Sequence, residues 1–154
     1  MPTFVEHEGL TILGIAAVTS NAMETDPATG RIAGLWARFY REDVPNRVPM
    51  KRAPAVPLGV YTGYESDHTG RYELTVGMAV DTSAQTPDGL VRVSIPARPY
   101  LLFDAEGDMP RVVIDTWKEI WSYFSKSSGH VRAYTTDFEL HRGPKAVGIY
   151  ISVK

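Results

Sequence analysis

Apolar and polar positions alternate along much of this chain. In "AVGIYISVK", near the C-terminus, Val147, Ile149, Ile151 and Val153 fall on one side, and Gly148, Tyr150 and Ser152 on the other. A period of two is the mark of a β-strand. "RYELTVGMAV" repeats it, with Tyr72, Leu74, Val76, Met78 and Val80 opposite Thr75, Gly77 and Ala79. "LTILGIAAVTSN" (Leu10–Asn21), "LGVYTGYES" and "VRAYTTDFELH" read as further strands, rich in β-branched and aromatic residues. "SDHTG" has hairpin-turn chemistry and links two of them. "LVRVSIPARPYLLFDAEG" is strand material in which Pro96 and Pro99 mark a bend or an edge.

Two segments carry helical spacing instead. In "DPATGRIAGLWARFYRED" the apolar positions are Ile32, Leu35, Trp36 and Phe39, with Asp26 as the expected cap and Pro27 at the first helical position. Gly30 and Gly34 weaken that segment by about 1 kcal/mol each. "DMPRVVIDTWKEIWSYFSKS" is the stronger helix: Val113, Trp117, Ile120, Trp121 and Phe124 form one stripe, Asp108 is the expected cap, and Gly129 can end it. Ser125, Ser127 and Ser128 read as cap and loop residues. A proline-rich loop, "VPNRVPMKRAPAVP", and a connector, "DTSAQTPDG", separate the elements.

The order then repeats. "GLWARFYRE" lies over "EIWSYFSKS", "VYTGYES" over "AYTTDFEL", and "YELTVGMAV" over "AVGIYISV". Two copies at that offset do not make a solenoid. The reading is a duplicated β-α-β-β unit within a single domain, 1–154, with pseudo-repeats at about 1–80 and 88–154. The predicted fold class is α+β: a curved antiparallel sheet with two main helices on one face.

Glu139 stands out because it sits between Phe138 and Leu140. Placing those two apolar residues on the helix side puts Glu139 on the other face, beside Gly148, Tyr150 and His141. One register of "VYTGYES" adds Tyr61, Gly63 and Glu65. Such a face is either a wet, polar side of an antiparallel sheet or the floor of a pocket. Its small residues and tyrosines, in place of lysines and glutamates, favour the pocket.

Composition narrows the function classes. A net charge of −2 with no basic run argues against an electrostatic nucleic-acid binder. The absence of cysteine excludes disulfides, thiolate metal sites and cysteine nucleophiles. The longest apolar run, "LTILGIAAV", is too short to span a membrane and lacks a basic leader, so a cytoplasmic location is expected. His7, His68, His130 and His141 show no metal-ligand spacing, and no phosphate-loop or dinucleotide fingerprint occurs. No cofactor is expected.

Taken in order, "ILGIAAVTSN", "IAGLWARFY", "GVYTGYESDHTGRYELTVGMAV", "VSIPARPYLLFDAEG", "WKEIW", "TTDFELH" and "GIYISVK" resemble the GyrI-like small-molecule-binding family, the AraC-type effector-binding domains. The resemblance covers nearly the whole chain. It implies a pseudo-twofold pair of β-α-β-β units with a ligand cleft near the axis. It is similar to sensor halves of multidrug-responsive regulators and to freestanding, integron cassette-encoded binders of cationic drugs. The match starts within the first dozen residues, so a bare sensor module without a DNA-binding segment is expected.

In drug-binding members of that family a glutamate on the penultimate strand meets the ligand's charge, and a tyrosine on the last strand lines the pocket. "DFELH" and "GIYI" carry these to Glu139 and Tyr150. The expected ligand-binding set is Glu139 as anchor, Tyr150 and Tyr61 as walls, and Trp36 and Trp121, at equivalent places on the two helices, either as core or as rim. Trp117 and Phe39 read as core. The expected partner is a hydrophobic, cationic small molecule, with no direct nucleic acid and no membrane. Two other readings stand beside it: a small-molecule hydrolase in which Glu139 works on water with a tyrosine acid, and a protein-interaction module with a separate protein partner, as in gyrase inhibition. Glu65 reads as a surface charge at a hairpin end.

Overall fold

A computed structural model describes residues 2–126 and 129–154, so Ser127 and Ser128 lie outside the described residues. The strands are β1 (Thr3–His7), β2 (Leu10–Ser20), β3 (Pro57–Thr62), β4 (Arg71–Val80), β5 (Val91–Ile95), β6 (Arg98–Glu106), β7 (Asp137–Gly143) and β8 (Ala146–Ser152). The helices are α1 (Asn21–Glu24), α2 (Ile32–Arg41), α3 (Val44–Arg47) and α4 (Arg111–Ser125). Among the described residues no helix is long and apolar enough to cross a membrane.

All eight strands form one antiparallel sheet in the order β1-β6-β8-β7-β3-β4-β2-β5. The expected duplication is visible in this order. β2-α2-β3-β4 and β6-α4-β7-β8 are the two units, and they meet at the β3–β7 pair. β1 and β5 extend the outer edges crosswise. β1 runs into β2 but pairs with β6, while β5 runs into β6 but pairs with β2. The register is unbroken between His7↔Arg98 and Leu10↔Ile95, since each partner number falls by as much as the other rises. The two ends of the sheet order are therefore two halves of one long strand pair, and the sheet curls back on itself.

That curl gives the sheet two buried faces. On the outer face, Leu35 and Phe39 of α2 cover Leu13, Leu74, Val76 and Met78, and Val112 and Ile120 of α4 cover Phe103, Val147, Ile149 and Ile151. Among the described residues the inner face carries no helix. Ile12, Leu58, Val60, Ile95, Tyr100 and Phe138 meet there and are buried by the sheet itself. β1 was not foreseen, because Thr3, Phe4 and Glu6 are exposed and only Val5 and His7 turn inward. "VRAYTT" is no strand apart from an isolated bridge from Arg132 to Val153.

Both helix starts differ from expectation. α2 begins at Ile32, and Asp26 instead closes a turn by accepting from the Ala28 amide at 2.9 Å. The cap comes from Glu24, whose carboxylate accepts from the amides of Arg31 (2.7 Å) and Ile32 (3.2 Å), where the helix dipole favours negative charge. α4 starts at Arg111 without a side-chain cap, and Asp108 pairs with Lys145 at 3.2 Å. Its stripe is turned by one residue: Val112, Thr116 and Ile120 are buried, and Trp121 is 40% exposed.

His7 is a polar residue at the inner core, its ring edge-on to Phe138 (5.2 Å), Tyr150 (5.6 Å) and Tyr100 (6.2 Å). Its Nδ1 accepts from the Gly9 amide at 3.0 Å, which requires that nitrogen to be unprotonated. Burial pushes the imidazole below its ordinary value of 6.5. A lowered histidine favours folding while neutral, so its contribution is complete above pH 6.5 and is lost as pH falls towards the lowered value. The melting temperature is expected to drop less between pH 7 and pH 5 in His7→Gln than in the parent. Parallel melting curves over that range would contradict this role for His7.

Candidate functional site

β7 sends two carboxylates to the outer face. The register pairs Glu139 with Gly59 on β3 and with Ile149 on β8, and Asp137 with Tyr61. Directly paired residues share a face, and Ile149 belongs to the core under α4. Both acids are therefore under the helices, at the junction of the two repeats. Phe138 and Leu140 point the other way, into the inner core. The expectation that these two apolar residues face the helices is thus corrected. Tyr61 does share Glu139's face, and Tyr150 does not: its ring stacks on Phe138 at 4.4 Å and 6° on the inner side. The sheet separates Tyr150 from Glu139. Glu65 lies exposed at the hairpin, where it accepts from the Arg71 amide at 3.4 Å.

Glu139 is 1% exposed and fully engaged. Oε2 accepts from the Tyr61 hydroxyl and from Trp117 Nε1, each at 2.6 Å, and Oε1 lies 3.0 Å from His141 Nε2. Burial first, and Glu139's charge second, hold the Tyr61 hydroxyl well above its ordinary value, so it stays protonated and donates. Rings wall the site. Tyr61 meets Trp117 edge-on at 5.1 Å and Tyr72 at 5.5 Å, and Trp36 tilts over His141 at 4.8 Å. Gly59 is the floor. A Cβ there would stand 3.2 Å from Glu139 Oε1 and 3.6 Å from the Trp36 ring, so the missing side chain is what lets acid and indole approach.

Asp137 is held differently. Its Oδ2 accepts from Arg132 Nη2 (2.7 Å) and the Tyr64 hydroxyl (2.5 Å), and its Oδ1 from the Ser152 amide (2.8 Å) and hydroxyl (3.1 Å). The Arg132 guanidinium lies 4.3 Å from the Tyr134 ring centroid and 5.9 Å from those of Tyr64 and Trp117. One buried carboxylate thus has a permanent cation. Among the described residues, the ion pair recorded for the other is with a histidine, not with a lysine or arginine.

Residues 3–153 match the family of integron-associated effector-binding proteins. The chain belongs to that family. An integron cassette protein from the mobile metagenome of Vibrio cholerae is 36% identical, with a TM-score of 0.87 over 99% of this chain and 95% of that one. The structure of SAV2435 bound to tetraphenylphosphonium has a TM-score of 0.76 at 22% identity, over 100% of this chain and 94% of that one, a likeness of fold. The transcriptional regulator BrlR of Pseudomonas aeruginosa is 25% identical over 97% of this chain. The chain spans 54% of BrlR's length, about half.

In this effector-binding protein the indole of α4 that reaches Glu139 is Trp117. Trp121, expected to be Trp36's equivalent, lies one step outward, its ring 6.3 Å from that of Trp117. Trp117 read as core in the sequence. The signal that could have placed it is chemical: an indole N–H in an apolar stripe needs an acceptor, and Glu139 is the acid set between apolar neighbours. His141 was read beside Glu139 from the strand period and stands there, whereas Asp137 and Arg132 carried no such signal.

Proposed function

We propose that this effector-binding protein binds lipophilic organic cations non-catalytically, with Glu139 as counter-charge and Tyr61, Trp36 and Trp117 as walls. The carrying observation is a carboxylate buried at the repeat junction whose donors are a phenol, an indole and an imidazole. A buried anion without a fixed cation is costly, and an arriving cation offsets that cost. Ring faces around it add about 0.5–2 kcal/mol each by cation–π attraction. Flat walls with few directional bonds accept many ligand shapes. Tetraphenylphosphonium, bound to SAV2435, has this chemistry. A ligand enters past His141 and Trp36, which are only half-buried.

Tetraphenylphosphonium and tetraphenylborate have the same shape and opposite charge, and calorimetric titration with each separates charge from hydrophobicity. Saturable binding of the phosphonium is expected, with no detectable binding of the borate. Equal affinity for the two, or no affinity for the phosphonium, overturns the reading.

A further inference from the structure

We propose that His141 is the internal counter-ion of this site, occupying the ligand's place on Glu139 and leaving it when a cation binds. This rests on the cation-binding reading above. His141 Nε2 lies 3.0 Å from Glu139 Oε1, and its side chain keeps 16% exposure while the carboxylate keeps 1%. The Trp36 ring lies 4.8 Å away, within reach for cation–π attraction to an imidazolium. A charged His141 therefore has the carboxylate and the ring contact that a bound organic cation would take.

The other groups around the pair do not substitute for it. β3 presents Tyr61 and β4 presents Tyr72, both held protonated by burial, which raises their hydroxyls above the ordinary value. α2 presents Trp36 and α4 presents Trp117, neither titratable. On β7 itself Asp137 is committed to Arg132, and β8 contributes Ile149. Tyr64, from the turn after β3, is bound to Asp137. Of the three side chains on Glu139, a phenol, an indole and an imidazole, only the imidazole gains a positive charge by taking up a proton.

Protonation of His141 and cation binding then compete. By linkage, a cation that displaces an imidazolium releases a proton, and affinity falls as pH falls. Tetraphenylphosphonium affinity is measured from pH 8 to pH 5.5 for the parent and His141→Gln. For the parent a fall of about tenfold is expected, the limit for one competing proton being tenfold per pH unit. In His141→Gln the fall should be smaller, and binding at pH 5.5 tighter than in the parent. The parent and the variant differ at this one side chain, so the difference between their profiles reads His141.

A second measurement needs no variant. Titration of the parent at pH 6 in two buffers of different ionisation enthalpy should show net proton release on binding. Identical pH profiles for the two proteins, or binding without proton release, overturn the counter-ion role and leave the cation reading standing. No binding to either protein at any pH overturns both.

Discussion

Asp137→Ala is expected to lower unfolding stability by about 3–5 kcal/mol, the range for removing one partner of a buried ion pair. Arg132 is 6% exposed and Asp137 fully buried, so the guanidinium cannot turn to water when its partner goes. Burial by itself would lower the Arg132 guanidinium, but the charge and hydrogen bond of Asp137, together with Tyr64 and Tyr134, outweigh it and hold the group above its ordinary value. The Ser152 amide and the Tyr64 hydroxyl lose their acceptor in the same substitution. Urea unfolding measures the effect. A double variant, Asp137→Leu with Arg132→Met, should recover most of the loss, since an apolar pair leaves no buried charge. A loss below 1 kcal/mol in the single variant, or no recovery in the double, would show that the pair does not hold the β7–β8 end together.

The repeat was legible because each unit must bury one helical stripe, and such stripes are written at fixed spacing. The face of β7 was not. Alternation states that Phe138 and Leu140 lie opposite Glu139, but not which side meets the helices. In a sheet with one wet face the apolar side goes to the helices. Here the curl buries both faces, so Phe138 and Tyr150 serve an inner core built from strand residues. The cause lies in register between segments more than eighty residues apart, such as Leu10↔Ile95, which local pattern does not record. For the same reason the reading found Glu139 and Tyr61 but joined them to Tyr150. The strand period was right, and the assignment of sides failed for two strands, β7 and, with Tyr61, β3.

The helices show a related limit. Trp117 and Trp121 are four residues apart and both fit an apolar stripe. A stripe about 100° wide does not resolve a rotation of one residue, and that rotation decides which indole reaches Glu139. Glu24 shows the same at a helix start. Its carboxylate caps α2 from seven residues upstream, beyond the three-residue window in which a cap is normally sought.

Glu139→Gln is expected to do the reverse of Asp137→Ala: stability unchanged or raised, and tetraphenylphosphonium affinity reduced about 100-fold or more. Loss of one partner from a buried charged contact costs about 2–5 kcal/mol of binding, and about 2.7 kcal/mol already corresponds to 100-fold. A glutamine fits the same space. Its carbonyl can accept from Tyr61 and Trp117, and its amide can face His141, so the donors keep partners while the buried charge disappears. A residue kept for binding at a cost to folding should behave in this way. Two carboxylates two positions apart on one strand are thus predicted to separate, one holding the fold and the other the ligand. Calorimetry and urea unfolding on the same preparations read both quantities. Undiminished binding in Glu139→Gln, together with a stability loss as large as that of Asp137→Ala, would make Glu139 a second structural acid and leave the aromatic site without its anchor.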